Sequence, residues 1–383
     1  MKKQFIIFFS IVLSVYGMIN FYIFFRGWHA LAMVPAYRPW FLTVGIVLAL
    51  LYPAGRFLER VSLSRFTEII VYIGSLWLAE MVYVFLLTAA ADIGRIFMYL
   101  FAPALYLQLN TVHAIGSIAL VIIVVSTGMT VYGFFNAMYP RVKQLNLSVP
   151  RKQSSARELS LVVVSDIHLG TIMGSRRLRY IIDKINSQNA DIVLLAGDVF
   201  DEDIGRVIKN NLGELLRQIR STYGLYAITG NHEYIGGVDN AVRYLTEHGV
   251  TVLRDQYIEI ADNITIIGRE DRSIKGWSGQ RRKSIPEILN GTPVNFPTIL
   301  LDHQPQHLEE AVEAGIDIQF SGHTHHGQLW PFNFITKKVY EVSWGYKKKG
   351  TTHIYVSCGA GSWGPPVRTG NRPEIIHCRL TLT

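Results

Sequence analysis

Cysteine is scarce in this chain. There are two in 383 residues, Cys358 and Cys378, both in the C-terminal half. That number supports no disulfide framework, and each reads as a small buried apolar residue. Acidic residues are scarce where the chain is most apolar. Residues 1–158 hold 5 of the 29 Asp and Glu but 13 of the 37 Lys and Arg, so the whole formal charge of +8 lies there. The remaining residues carry 24 of each and balance. A basic chain often binds nucleic acid, but an excess confined to the hydrophobic part points to loop charges that orient membrane helices. No nucleic-acid partner is expected. Internal repeats and low-complexity tracts are also missing, which leaves no ground for a repeat array.

What the chain has in plenty is apolar sequence: 49% hydrophobic residues and a mean hydropathy of +0.23. Nearly all the long charge-free runs fall in residues 4–136. A membrane helix needs about 20 mostly apolar residues, and four runs qualify, at 4–25 and roughly at 38–55, 67–91 and 111–136. The first has Lys2 and Lys3 before it, Arg26 after it and no small-residue cleavage site. With further apolar runs behind it, it reads as a retained helix and not a removed signal. The stretch "DIGRIFMYLFAPALYLQ" (92–108) is interrupted by Arg95 and Pro103 and reads as an interfacial or re-entrant piece.

Four spans place both chain ends on one side. That side collects Lys2, Lys3, Arg56, Arg60, Arg65, Arg141, Lys143, Arg151, Lys152 and Arg157, against Arg26, Arg38 and Arg95 on the other. The positive-inside rule then makes the C-terminal part cytoplasmic; a fifth span through 92–108 would put it outside. Glu80 lies inside the third run. A carboxylate is costly there, and it reads as a hydrogen-bonded tie between two helices.

Residues 141–158, polar and containing Pro150 and a Ser pair, read as a linker. Beyond them, β-branched runs such as "LSLVVVSD", "DIVLLAGD" and "TILLDHQ" alternate with helically spaced ones such as "RRLRYIIDKINSQ", "RVIKNNLGELLRQIR" and "VDNAVRYLTEHG". Continuous apolar strands alternating with helices indicate an α/β domain with buried sheets. Polar residues gather just after the strands: Asp166 and His168, Asp198 and Asp201, Asn231 and His232, His303, then His323 and His325 in "GHTHHGQ". Ligands of α/β sheets bind outside the carboxyl ends of the strands, so five strand ends delivering Asp, Asn and His imply one site. Mixed imidazole and carboxylate donors suit Mn²⁺, Fe or Zn²⁺, not the all-oxygen shell of Ca²⁺. The set is too large for one ion. Two metals about 3.5–4 Å apart, bridged by a carboxylate and an acidified water, are a common apparatus for in-line displacement at phosphorus.

The blocks "SDIHLG", "LLAGDVFD", "TGNHEY", "LLDHQP" and "SGHTHHGQ" resemble, in order, the five motifs of the calcineurin-like metallophosphoesterases, and the resemblance spans about residues 159–383. The H-Q-P block and the closing "YVSCGAGSWGPPVRTGNRPEI" are most similar to the bacterial membrane-associated branch. The resemblance implies a four-layer αββα sandwich. The expected organisation is therefore an N-terminal α-helical transmembrane bundle of about four helices (1–140), a linker (141–158) and a catalytic α/β domain (159–383).

The resemblance also assigns the site. Asp166, His168 and His325 would hold one divalent ion, and Asn231, His303 and His323 a second, with Asp198 bridging; Mn²⁺ is the expected metal, Fe or Zn²⁺ the alternatives. His232 would contact phosphate and protonate the leaving oxygen, with Asp201 orienting it; the competing reading of Asp201 is a helix N-cap. Glu233 reads as a loop anchor. His326 stands where the family commonly has Gly, and either lines the site or faces solvent. His307 reads as structural, and Asp302 either orients a ligand or faces away. The basic runs at 280–284 and 346–350 read as solvated faces that could also meet anionic headgroups. Arg368 is left open as a phosphate contact. The activity implied is hydrolysis of a phosphodiester or pyrophosphate bond in a membrane-resident, lipid or lipid-linked substrate, by attack of a metal-bridging hydroxide. The alternatives are a phosphomonoesterase, and a membrane component whose metal domain only binds.

Overall fold

The computed structural model describes residues 2–260, 264–290 and 295–383. The chain divides into two compact units, Met1–Phe135 with Gly364–Val367, and Asn136–Trp363 with Arg368–Thr383.

The first unit is helical: α1 (Lys2–Ala30), α2 (Arg38–Val61), α3 (Arg65–Phe101), the short α4 (Pro103–Leu109) and α5 (Val112–Met138), whose last turn belongs to the second unit. Four of these are long and apolar enough to cross a membrane, all but α4. The helix α3 opens on a reciprocal cap in which Ser64 accepts from Thr67 N–H and the Thr67 side chain accepts from Ser64 N–H. Glu80 of α3 accepts from three hydroxyls of α5, Ser126 at 2.6 Å, Thr127 at 3.1 Å and Thr130 at 2.8 Å. It is the interhelical tie that its position in the sequence suggests.

Residues 92–108 differ from the expectation of a separate interfacial piece. Residues 92–101 continue α3, and only the remainder forms α4. The charges that interrupt the run are satisfied within the bundle: Asp92 pairs with Arg26 and accepts from Tyr22 Oη at 2.6 Å, and Arg95 donates to Asn110. The break comes instead at Pro103, which pushes Ala102 out of the helical region (φ −144°, ψ 60°).

Among its described residues the second unit has twelve strands: β1 (Arg141–Val149), β2 (Glu158–Val164), β3 (Ile192–Ala196), β4 (Leu225–Ile228), β5 (Thr251–Val252), β6 (Gln256–Ile260), β7 (Ile264–Gly268), β8 (Thr298–Leu301), β9 (Ile318–Ser321), β10 (Gly345–Lys349), β11 (Thr352–Val356) and β12 (Glu374–Leu382). They form two six-stranded mixed sheets, ordered β1-β12-β2-β3-β4-β5 and β10-β11-β9-β8-β7-β6. The central strands β2 to β5, and β7, β8, β9 and β11, run parallel. Around them lie α6 (Ser175–Asn186), α7 (Gly205–Lys209), α8 (Gly213–Leu216), α9 (Asn231–Gly236), α10 (Val238–Glu247), α11 (Ile274–Ser278), α12 (Ile285–Ile288), α13 (Glu309–Glu313) and α14 (Asn333–Val339).

Strand periodicity explains the layering, because successive side chains face opposite sides. Leu161, Leu194 and Ile228 of the first sheet meet Ile266, Ile299 and Phe320 of the second in one buried core. The alternate residues Val162, Val193 and Leu195 pack on Leu178, Ile181 and Ile185 of α6 and on Leu245 of α10. On the far side, Ile267 and Leu300 meet Ile285 and Ile288 of α12. The result is the four-layer αββα arrangement.

Two local readings change. Residues 141–149 are strand β1, not linker: they pair in parallel with β12, and Leu147 and Val149 are buried while Asn146 and Ser148 face out. An edge strand with one wet face carries enough polar residues to pass for a connection. The run 206–220 is two short helices, broken where Asn211 takes φ +48°.

Candidate metal centre

The strands β2, β3 and β4 end in Asp166–His168, Asp198–Asp201 and Asn231–Glu233, and β8 and β9 of the other sheet end in His303 and in His323–His325. Backbone bonds lock these ends together: Asp166 N–H donates to Gly197 O (3.0 Å), His168 N–H to Asp198 O (3.1 Å) and Gly322 N–H to His303 O (2.9 Å). Asp166, His168, Asp198, His323 and His325 all have φ between +44° and +71°. Holding a non-glycine residue in that region costs on the order of 1–3 kcal/mol and persists only where the surroundings enforce it. Here it turns five side chains inward. The motif glycines serve the same convergence. A Cβ on Gly230 would stand 2.1 Å from Asp198 Oδ1, and one on Gly322 would stand 2.3 Å from Asp166 Oδ2.

The resulting side-chain cluster is compact. Three triads each offer ligand atoms within 4.8 Å of one another: Asp166–His168–His325, His168–Asp198–His232 and Asp198–His303–His323. Asp198 Oδ2 stands between the groups, 3.0 Å from His303 Nε2 and 3.9 Å from His168 Nε2. The Nε2 atoms of His168 and His325 face each other at 2.9 Å, and His325 Nε2 is 3.5 Å from Asp166 Oδ1. Asn231 Oδ1 is 2.7 Å from His323 Nδ1. All seven expected ligands are thus brought together. His232 lies at the same cluster, its ring 4.6 Å from that of His168, and its backbone N–H donates to Asp198 Oδ1 at 2.9 Å. Asp201 Oδ1 is 3.6 Å from His232 Nδ1 and 3.8 Å from His168 Nδ1. It does not cap a helix; α7 starts at Gly205, whose N–H donates to Asp203.

Burial sets the electrostatics. It pushes Asp166 up to about 6, and the Asp198 charge acts in the same sense. It holds His168 and His325 well below the ordinary imidazole value and takes His323 down to about 4, with neighbouring imidazoles adding to the effect. Asp198 and His303 are the coupled exception. Burial opposes both charges, yet their mutual attraction wins, keeping Asp198 well below and His303 well above their usual ranges. Neutral imidazoles beside ionised carboxylates are the protonation states that metal ligation requires. Several buried atoms also lack a hydrogen-bond partner: Asp166 Oδ2, His168 Nδ1 and His232 Nδ1. Orphaned oxygen and nitrogen donors, mixed in type and aimed into one small volume, fit divalent transition-metal ions.

The surrounding residues resolve the other open readings. Glu233 is a clamp: its carboxylate accepts from Asp198 N–H (3.1 Å), Gly230 N–H (2.7 Å) and Phe200 N–H (2.9 Å), and burial pushes it up to about 7. Arg368 does not reach out to a phosphate. It is fully buried and donates to Cys358 O, Gly361 O, Asn371 Oδ1 and, at 2.9 Å, to His325 Nδ1, leaving His325 Nε2 to face the cluster. Asn371 completes the support by donating to His325 O at 2.6 Å. No signal in the sequence separates this buried arginine from an exposed one. His326 neither lines the site nor meets solvent: it is buried against Trp344 with Nδ1 3.0 Å from Ser343 Oγ. Asp302 faces away from the cluster, bound to Arg282 (2.7 Å) and Arg269 (3.2 Å). His307 is exposed beside Glu309. Of the basic runs, Arg282 is half-buried in its pair with Asp302, while Lys347 and Lys349 of β10 bond Glu341 at the surface.

The model of the calcineurin-like phosphoesterase family matches residues 159–327. An uncharacterized metallophosphoesterase of Helicobacter pylori is 33% identical over 254 residues, 65% of this chain and 66% of its own length. A transmembrane protein with metallophosphoesterase domain from Danio rerio is 31% identical over 271 residues, 67% of this chain and 61% of its own. An uncharacterized metallophosphoesterase of Campylobacter jejuni is 29% identical over 382 residues, 98% of each chain. The chain thus spans just under two thirds of the first two relatives and nearly all of the third.

Proposed function

Since the chain belongs to the calcineurin-like metallophosphoesterases, we propose that it is a membrane-anchored hydrolase of a phosphodiester or pyrophosphate bond in a lipid or lipid-linked substrate. Asp166, His168 and His325 would hold one divalent ion and Asn231, His303 and His323 the other, with Asp198 shared, and Mn²⁺ is the metal proposed. When bound, such a pair supplies an acidified water and neutralises charge on the phosphoryl oxygens. The chain's own groups do the rest. His232 delivers a proton to the leaving oxygen, and Asp201, 3.6 Å from its Nδ1, holds the ring in the orientation and tautomer that this needs. Glu233 keeps the loops bearing Asp198 and Asn231 in register. The observation that carries the reading is Asp198 Oδ2, placed between His168 and His303 where one carboxylate oxygen serves two ligand sets.

The lipid part of the proposal rests on connectivity and charge. Only two residues separate α5 from β1, and such a tether raises the effective concentration of a membrane-resident substrate without a new contact. The excess of Lys and Arg at the N-terminus, around the α2–α3 connection and just after α5 supports a catalytic domain on the cytoplasmic side.

The test is metal analysis of the purified full-length protein, with hydrolysis of a panel of lipid, nucleotide and simple phosphate esters in Mn²⁺. Close to two ions per chain are expected, and Asp198→Ala should lose most of the metal and the activity together. Full activity in that variant, or no bound ion after loading, refutes the dinuclear reading.

A further inference from the structure

The second unit exposes twelve large apolar side chains among its described residues, and five of them, Trp330, Phe332, Phe334, Ile335 and Val339, fall within ten positions. Exposed apolar residues scattered singly are ordinary on any surface, but a contiguous patch marks an interaction site. This one is built by α14 and the turn before it. Ile335 and Val339 stand one helical turn apart, Asn333 is buried and anchors the helix, and relative exposure runs from 36% at Phe332 to 67% at Val339. Lys337 and Lys338 are exposed on the same short helix, and residues 329–340 contain no Asp or Glu.

The patch is fixed to the metal centre. Gln328, immediately after the "HTHHG" turn, accepts from Trp363 N–H at 3.1 Å and donates its amide N–H to Trp363 O at 2.9 Å. Trp363 is itself half exposed, and its ring centroid lies 6.0 Å from that of His232. Trp363 is thus tied through Gln328 to the segment that leads into the apolar surface, and its ring lies beside the proposed proton donor.

We infer that Trp330–Val339, with Trp363, is a membrane-docking ridge that seats the rim of the metal centre in the headgroup layer of an anionic bilayer. The chemistry selects this occupant. Tryptophan and phenylalanine favour the membrane interface, where one end of the side chain is apolar and the other wet. Exposed lysines complement anionic headgroups, and the acidic residue that follows, Glu341, is bonded to Lys347 and Lys349. A bilayer is also within permanent reach, because the same chain carries four helices apolar enough to cross one. A phosphorylated headgroup could then enter the site beside Trp363 while its acyl chains stay in lipid. That consequence rests on the phosphoesterase reading; the docking itself does not.

The experiment uses full-length protein reconstituted in phosphatidylcholine–phosphatidylglycerol vesicles. Both native cysteines are buried, so Ile335→Cys takes an environment-sensitive fluorophore at one place, and Arg217→Cys, at an exposed residue outside the ridge, is the reference. Spin-labelled lipid should quench the label at 335 at least about threefold more strongly than at 217, and Lys337→Glu with Lys338→Glu should reduce that difference. A label at 335 as wet and as unquenched as that at 217 overturns the inference. So does a label shielded from water but untouched by lipid, which would mean that protein, such as a second copy, covers the ridge. Quenching needs no catalysis, so the two proposals fail separately. Strong quenching without hydrolysis removes the enzyme and keeps the ridge, and metal-dependent hydrolysis without quenching does the reverse.

Discussion

Replacing Glu233 tests whether the site is assembled by its scaffold or only by its ligands. This carboxylate is buried and accepts three backbone N–H bonds, from Asp198, Gly230 and Phe200, tying the β3 loop to the β4 loop. Each buried donor left without a partner costs about 1–3 kcal/mol. Glu233→Ala strands all three, a loss of roughly 3–6 kcal/mol after some relaxation and water entry, against a typical domain stability of about 5–15 kcal/mol. For a domain of this size about 1 kcal/mol moves the midpoint by about 2–4 °C, so a fall on the order of 10–20 °C is expected. Glu233→Gln is the informative contrast. Its amide oxygen can still accept from Asp198 and Gly230, but its NH₂ group meets Phe200 N–H, donor against donor. One lost bond predicts a fall of only about 3–10 °C. Both should be measured by calorimetry at pH 8, above the value of about 7 that burial gives this carboxyl. The relevant transition is the one that moves upward when metal is added. Activity should drop further than stability suggests, because a shift of about 1 Å in the loops costs on the order of 10²-fold. An alanine variant that melts within about 2 °C of wild type and turns over normally would refute the clamp.

Three further outcomes follow from the same geometry. His232→Ala should keep its metals and lose about 10²–10⁴-fold in turnover, less on a p-nitrophenyl ester, whose leaving group needs little protonation; equal losses on good and poor leaving groups would argue against the proton-donor role. Metal affinity should rise with pH wherever a ligand must lose its proton: Asp166, set at about 6 by burial, costs about tenfold per unit below pH 6, His303, held protonated by Asp198, adds its competition above that, and His323 adds its own only near pH 4. Titration calorimetry showing equal affinity at pH 7 and pH 5 would refute this. In the helical unit, Glu80→Ala should remove about 2–4 kcal/mol of α3–α5 adhesion by stranding Ser126, Thr127 and Thr130. Faster inactivation in detergent is expected, while Glu80→Gln, which keeps an acceptor, should stay close to wild type.

The convergence of ligands was legible from the sequence because it follows from strand register: residues just after parallel strands emerge at one edge, whatever the loops do next. Side-chain direction was not legible. Arg368 and Arg281 both sit in polar connections, yet one is fully buried on two backbone carbonyls, Asn371 and His325, and the other is exposed beside Glu287. Only the path of the surrounding chain separates them. The same limit hid β1, whose buried Leu147 and Val149 have alternation but too many polar neighbours to read as a strand. It also hid the continuation of α3 through residues 92–101, because the charge that interrupts the run, Arg95, is bonded to Asn110, 15 positions later.

The case for metal does not depend on the motifs alone. Asp166, Asp198 and Glu233 are three buried carboxyl groups in one small region, and burying a charge costs several kcal/mol unless a partner compensates. His303 is the imidazole that carries a positive charge here, and it is committed to Asp198; burial and neighbouring imidazoles hold His168, His323 and His325 neutral. Arg368 spends its donors on carbonyls, Asn371 and His325, not on a carboxylate. The carboxyl oxygens at this edge therefore outnumber the cationic donors that reach them, at the place where the backbone is also held in an unfavourable conformation. Added divalent cations correct that imbalance, and the strain and burial that make the metal-free site costly are what aim its donors at them.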